Sequence, residues 1–199
     1  MPVTINGTTG VDTPGVVSSG AVSGTTGTFS GNVTANGLAT ELRPLVLMTA
    51  QNTTSGSSVD FIGIPSWAKR VTVMFNGVST NGVNHIIIQF GTSGGLQTTG
   101  YFSYSVYIQG GSVGALQSTA GTAIVGSSAA SVQYGPVSFT NFGGNTWMTS
   151  GVMSTDTSTT DYTQMLGGSF TLSGVLDRIR ITTNSADTFD AGSINVMYE

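Results

Sequence analysis

KRVTVMFNGVSTNGVNHIIIQFG, residues 69–91, is the stretch on which the fold class turns. Val71, Val73 and Phe75 recur at every second position, and so do Ile86, Ile88 and Phe90. Successive side chains of a β-strand point to opposite faces, so each triplet lines one face of a strand; a helix would scatter it. Between the two runs, VSTNGV (78–83) carries Asn81–Gly82. That pair readily supplies the positive φ angles of a two-residue hairpin turn. The stretch predicts two strands joined by a tight hairpin.

The same texture continues on both sides. PLVLMTA (44–50), SVDFIG (58–63), TTGYFSYSVYIQG (98–110), PVSFTNF (136–142), NTWMTSGVMST (145–155), YTQMLGGSFTL (162–172), LDRIRITT (176–183) and GSINVMYE (192–199) each read as a short strand. In the last, Ile194, Val196 and Tyr198 share a face opposite Asn195 and Met197. Helical periodicity is not sustained anywhere; PSWAKR (65–70) offers one turn at most. About ten period-2 strands between Gly, Ser and Asn turns predict an all-β, antiparallel, jelly-roll-like sandwich. It forms a head domain over residues 41–199, large enough to bury on the order of 70% of the unfolded surface.

Residues 1–40 have a different character. They hold Gly, Ser and Thr with no long apolar run, and Asp12 is the one charged side chain. Sliding TINGTTGVDTPGVVSSG (4–20) over AVSGTTGTFSGNVTANG (21–37) makes six of seventeen positions agree. A strand–turn unit used twice, too small to bury its own apolar face, becomes stable when wound with copies from other chains. A flexible Gly/Ser linker is the alternative.

Charge bounds the function. Only 7% of the 199 residues are charged, against about 25% in ordinary soluble domains. Five basic residues leave no electrostatic footprint for nucleic acid or anionic lipid. No apolar window approaches a membrane span, so no membrane insertion is expected. A basic segment followed by an apolar one, as in a signal peptide, is missing from the N-terminus. Without cysteine, disulfides and thiolate metal sites are excluded.

Candidate chemistry is sparse. GTSGG (91–95) and GGSVG (110–114) match G-x-S-x-G, but no helix follows either and His85, the one histidine, precedes both. His85 alone makes no metal site; a half-buried, hydrogen-bonded ring is expected, with an axial cluster of subunit copies as the alternative. The bracketing pairs Asp156/Asp161 and Asp187/Asp190 read as turn-initiating residues. Arg178 and Arg180 alternate with Ile179 and Ile181 and read as a solvated face; pairing with Asp177 or across a subunit interface is the alternative. Trp67 and Trp147 are expected to cap the sandwich. Three sequons begin at Asn6, Asn32 and Asn52.

The aromatics of GYFSYSVYIQG are the candidate ligand-binding residues: Tyr101, Tyr104 and Tyr107. Tyr104 shares a face with Phe102, while Tyr101 and Tyr107 share the other with Ser103 and Ser105. The pattern predicts one core face and one mixed aromatic–hydroxyl face. Flat rings beside neutral hydroxyls suit a sugar, and equally a core or subunit interface.

With these residues in view, the chain resembles bacteriophage virion fibre proteins. TINGTTGVDTPGV with SGNVTANG is similar to the N-terminal arms of tail-fibre and related proteins. DFIGIPSWAKRVTVMFNGVSTNG resembles a segment of prophage fibre proteins, and DAGSINVMYE is similar to their endings. The resemblance implies a homotrimer in the virion, an arm (1–40) docked to another virion protein, and an outward-facing sandwich head. The expected function is a tail fibre or receptor-binding fibre contacting a host-surface glycan, with no catalysis, cofactor or metal. A purely structural virion component, such as a capsid decoration or fibre-base adaptor, is the alternative; a secreted carbohydrate-binding module is a third reading.

Overall fold

The computed structural model describes residues 44–199. The arm expected at 1–40, its repeat and the Asn6 and Asn32 sequons lie outside the described residues. Among the described residues there are fourteen strands and no helix. All pairings are antiparallel, in two sheets, consistent with the expected β-sandwich.

The larger sheet contains β1 (Val46–Leu47), β2 (Gln51–Asn52), β4 (Arg70–Thr80), β7 (Phe102–Gln109), β8 (Ser112–Ser118), β10 (Val132–Gly143), β11 (Thr146–Asp156), β12 (Tyr162–Thr171) and β14 (Phe189–Tyr198). Its order is β1-β14-β4-β10-β11-β12-β7-β8, with β2 also on β14. The smaller holds β3 (Ser58–Ile62), β5 (Ile86–Thr92), β6 (Gly95–Leu96), β9 (Thr122–Ile124) and β13 (Arg178–Thr183), ordered β3-β13-β5-β6 with β9 on β5.

Alternation explains why these segments are strands. Along β13, Ile179 and Ile181 are fully buried while the flanking arginines are half-buried. Val71, Val73 and Phe75 of β4 meet Ile86, Ile88 and Phe90 of β5 in one core cluster. At its centre the Phe90 ring lies 4.5 Å from Phe139 and 4.9 Å from Phe170, with Trp147 at 6.0 Å. Each such fully buried side chain contributes about 1.5–3 kcal/mol through removal from water. Trp147 is therefore a core residue and not a cap; Trp67 packs edge-on against Tyr198 at the border.

The hairpin expected at Asn81–Gly82 is corrected. β4 and β5 belong to different sheets, so 81–85 crosses between them. Asn81 bonds to Thr188 twice, donating its N–H to the carbonyl (3.0 Å) and accepting the Thr188 N–H at Oδ1 (2.9 Å). Gly82 is there for close approach: a Cβ would collide with the Asp187 carboxylate, which accepts the Asn84 N–H at 2.8 Å. Two apolar-faced strands satisfy the same periodicity side by side or facing each other across a core. Periodicity alone does not choose.

Candidate functional site

β7 inverts the expected polarity. Ser103 and Ser105 are buried and Tyr101 is only 3% exposed, whereas Phe102, Tyr104 and Ile108 point outward. The reason is hydrogen bonding to β9 and β5. Ser103 Oγ accepts the Ala123 N–H (3.2 Å), and Ser105 Oγ donates to the Ala123 carbonyl (2.6 Å). Tyr101 Oη accepts the Phe90 N–H at 2.7 Å and lies 3.2 Å from the Gln97 carbonyl. Buried hydroxyls with partners carry little penalty. Burial pushes the Tyr101 phenol up to about 12.

The three tyrosines therefore do not converge. Tyr101 is in the core; Tyr107 is half-buried against Tyr162, ring centres 5.5 Å apart; Tyr104 alone opens to the outer face. Exposure of Tyr101 at a ligand surface is thereby corrected.

Pairing register assembles that outer face. One row runs Tyr134–Ser154–Thr163–Ile108–Val113 across β10, β11, β12, β7 and β8. The next is Val152–Met165–Val106–Ala115, followed by Ser138–Ser150–Gly167–Tyr104–Gln117 and Thr140–Met148–Ser169–Phe102. None of these residues is charged. Val152, Met165, Tyr104, Phe102, Ile108 and Val113 are each more than two-fifths exposed. Exposed apolar side chains gathered on one sheet face are a feature that interaction surfaces share.

At the first row's end the face dips into a concavity of about 530 Å³, lined by Ile108, Tyr134, Ser154, Asp156, Asp161 and Thr163, with Thr155 and Tyr162 also contributing. Its size lies within the roughly 300–1,000 Å³ of small-molecule sites. The Tyr134 ring, 42% exposed, lies over Gly77, where a Cβ would come within 3.7 Å of its Oη. The two carboxylates stand on the β11–β12 turn. Asp156 Oδ1 accepts the Ser158 N–H (2.9 Å), and Asp161 Oδ1 accepts the Thr157 N–H (3.2 Å). Thr157 Oγ1 donates to the Thr160 carbonyl, and Gln109 clamps that same carbonyl from β7. Ser158 has φ of 62°, the one non-glycine positive φ among the described residues.

The strand segment expected from Pro136 begins at Val132, which is how Tyr134 escaped the sequence reading. Gly135, with φ of 125°, lets the strand run past what looks like a Gly–Pro break. Asp156 initiates the turn as expected, whereas Asp161 closes it, taking the N–H of a residue four positions earlier; their meeting with Tyr134 depends on β10–β11 pairing, which no local motif encodes.

Other candidates sit apart. Ser93 follows β5 and His85 precedes it, so roughly 25 Å of strand separates them. His85 is half-buried, its Nδ1 accepting the Gly126 N–H at 3.1 Å, and burial holds its imidazole below the usual value. Arg180 forms a bidentate pair with Asp60 on β3, and Arg178 pairs with Asp177, so both find partners within the chain. Asp190 bonds Ser79, away from Asp187 and its Asn84 contact. Asn52 of the third sequon is exposed on β2. Among the described residues no group of three His, Asp or Glu side chains is placed to hold a metal. No protein-family model, curated protein or solved structure matches the chain.

Proposed function

We propose that this chain is a bacteriophage virion structural protein, a tail fibre or receptor-binding fibre whose jelly-roll-like head contacts a host-surface glycan without catalysis. In this reading residues 1–40 form the arm that docks to another virion protein and assembles a homotrimer. The carrying observation is the outer face of the larger sheet: charge-free rows in which Tyr104, Phe102 and Tyr134 stand beside Ser, Thr and Gly. Rings stack on the C–H faces of sugars while neighbouring hydroxyls take their polar edges. Three heads on one fibre would turn weak single-site binding into strong attachment. The test is an adsorption competition in which labelled full-length protein is added to host cells and challenged with intact virus. Saturable binding that blocks adsorption supports the reading; a trimeric, folded protein that binds no cells overturns it.

A purely structural virion role is the second reading. The aliphatic row Val152–Met165–Val106–Ala115 favours it, because such side chains suit a protein surface better than a hydroxyl-covered sugar. The same protein would then bind purified virions or capsids lacking it, and ignore cells.

A further inference from the structure

We infer that the concavity between Tyr134 and the β11–β12 turn is the saccharide subsite of the head, and that it takes neutral or amino sugars and rejects acidic ones. The inference rests on the glycan-binding reading and adds to it a place and a selectivity.

Three features of the site carry it. First, it has a fixed aromatic platform. Tyr134 stands on the bare backbone of Gly77 with 42% of its surface open, so a sugar ring meets a surface that loses little freedom on binding. Second, it has acceptors in excess. Asp156 and Asp161 each use Oδ1 on the turn's own backbone, and the Oδ2 atoms make no hydrogen bond among the described residues. Sugar hydroxyls are donors, and hydrogen bonds to a carboxylate are roughly twice as strong as neutral ones. Ser154 and Thr163, paired across β11 and β12, add hydroxyls that donate or accept.

Third, its charge is one-sided. No Lys or Arg lines the concavity. A uronic or sialic acid would place its carboxylate beside two others with no cation to offset them. An ammonium-bearing sugar would be favoured. The turn is also rigid where it has to be: Thr157, Thr160 and Gln109 lock it, and Ser158 is held at positive φ.

The test uses the full-length protein on an array of neutral, amino and uronic-acid-containing oligosaccharides, with host-cell binding measured in parallel. Neutral or amino oligosaccharides are expected to bind at least tenfold better than the acidic set. Tyr134→Ala should lose tenfold or more, Tyr134→Phe should keep most binding because the ring remains, and Asp156→Asn with Asp161→Asn should erase the discrimination against acids. Unchanged melting curves establish that the variants are folded. Equal binding of acidic probes, binding indifferent to Tyr134→Ala, or no binding on the array overturns the subsite. Cell binding separates the two levels: cells bound with Tyr134→Ala unaffected sinks the subsite alone, whereas no cell binding by the unmodified protein sinks the receptor reading too.

Discussion

Tyr101 shows how one hydroxyl ties the two sheets together. Its ring packs on Phe170 of the larger sheet at 4.7 Å between centres, and its oxygen takes the Phe90 N–H of the smaller. Tyr101→Phe keeps the ring but leaves that buried N–H without its acceptor, so a loss of about 1–3 kcal/mol in urea unfolding is expected. Alkaline behaviour provides an independent check. The folded phenol is raised from 10.0 to about 12, so the unfolded chain gives up this proton first. Stability tied to the neutral ring is complete below pH 10 and drains away as pH climbs through 12, by about 2–3 kcal/mol. The variant should lack that part of the alkaline decline; parallel alkaline limbs would refute the assignment. His85 has the opposite sign. Its folded value lies below 6.5 through burial, so the unfolded chain takes the proton first on acidification. The contribution of the neutral ring is whole above pH 6.5 and is lost as pH falls through the lowered folded value. His85→Gln removes it, and the stability gap between the two proteins should narrow from pH 7.5 to pH 5. A constant gap would count against a neutral, buried ring.

At the scale of elements, β9 and the residues after it are pegged to the larger sheet by polar groups inside the core. Gln164 Oε1 accepts the Val125 N–H (2.8 Å), while its Nε2 contacts Gln133 Oε1 and Thr155 Oγ1, each at 3.0 Å. Gln133 Nε2 and Tyr162 Oη both donate to the Val125 carbonyl. Gln133 and Gln164 are fully buried, and no buried side-chain polar atom among the described residues lacks a partner. Satisfied networks specify a packing; broken ones are costly. Gln164→Leu strands the Val125 N–H and should cost about 1–3 kcal/mol, with faster hydrogen exchange at that amide. Slow exchange there in the variant would mean the peg is not what holds β9. The network also shows what the sequence could and could not reveal. Strands at Val71–Phe75, Ile179–Ile181 and Ile194–Tyr198 are legible because a two-residue period survives any pairing. β9, TAI, is three residues of a Gly/Ser/Ala stretch with no period to read. Its position in turn decides which face of β7 is buried, so the polarity of Tyr101, Ser103 and Ser105 was illegible locally. The same holds for Asn81–Gly82, which adopts no positive φ and serves a crossing held by Thr188 and Asp187. The site depends on a third non-local fact, the register that sets Tyr134 opposite Ser154.

For the whole molecule the question is what the charge-free rows of the outer face are for, since the core consumes only one face of the larger sheet. Val152, Met165 and Val106 lie side by side at the middle of three adjacent strands, where exposure of aliphatic side chains to water gains nothing for the fold. Replacing them together as Val152→Thr, Met165→Gln and Val106→Thr removes the aliphatic row while keeping β-compatible or neutral side chains. Exposed substitutions of this kind change stability by about 0.5 kcal/mol each or less, so melting should shift little. Function should then separate the two readings. If the face docks a neighbouring virion protein, deleting its apolar centre removes much of the contact area that drives association, and incorporation into particles should fall by an order of magnitude or more. If the face meets sugar through Tyr134 and the turn carboxylates, the triple variant should still bind cells and oligosaccharides within a fewfold of the unmodified protein, because hydroxyl- and ring-based contacts are untouched. A large loss of melting temperature would contradict both, since it would place these side chains in the folding core instead of on a working surface.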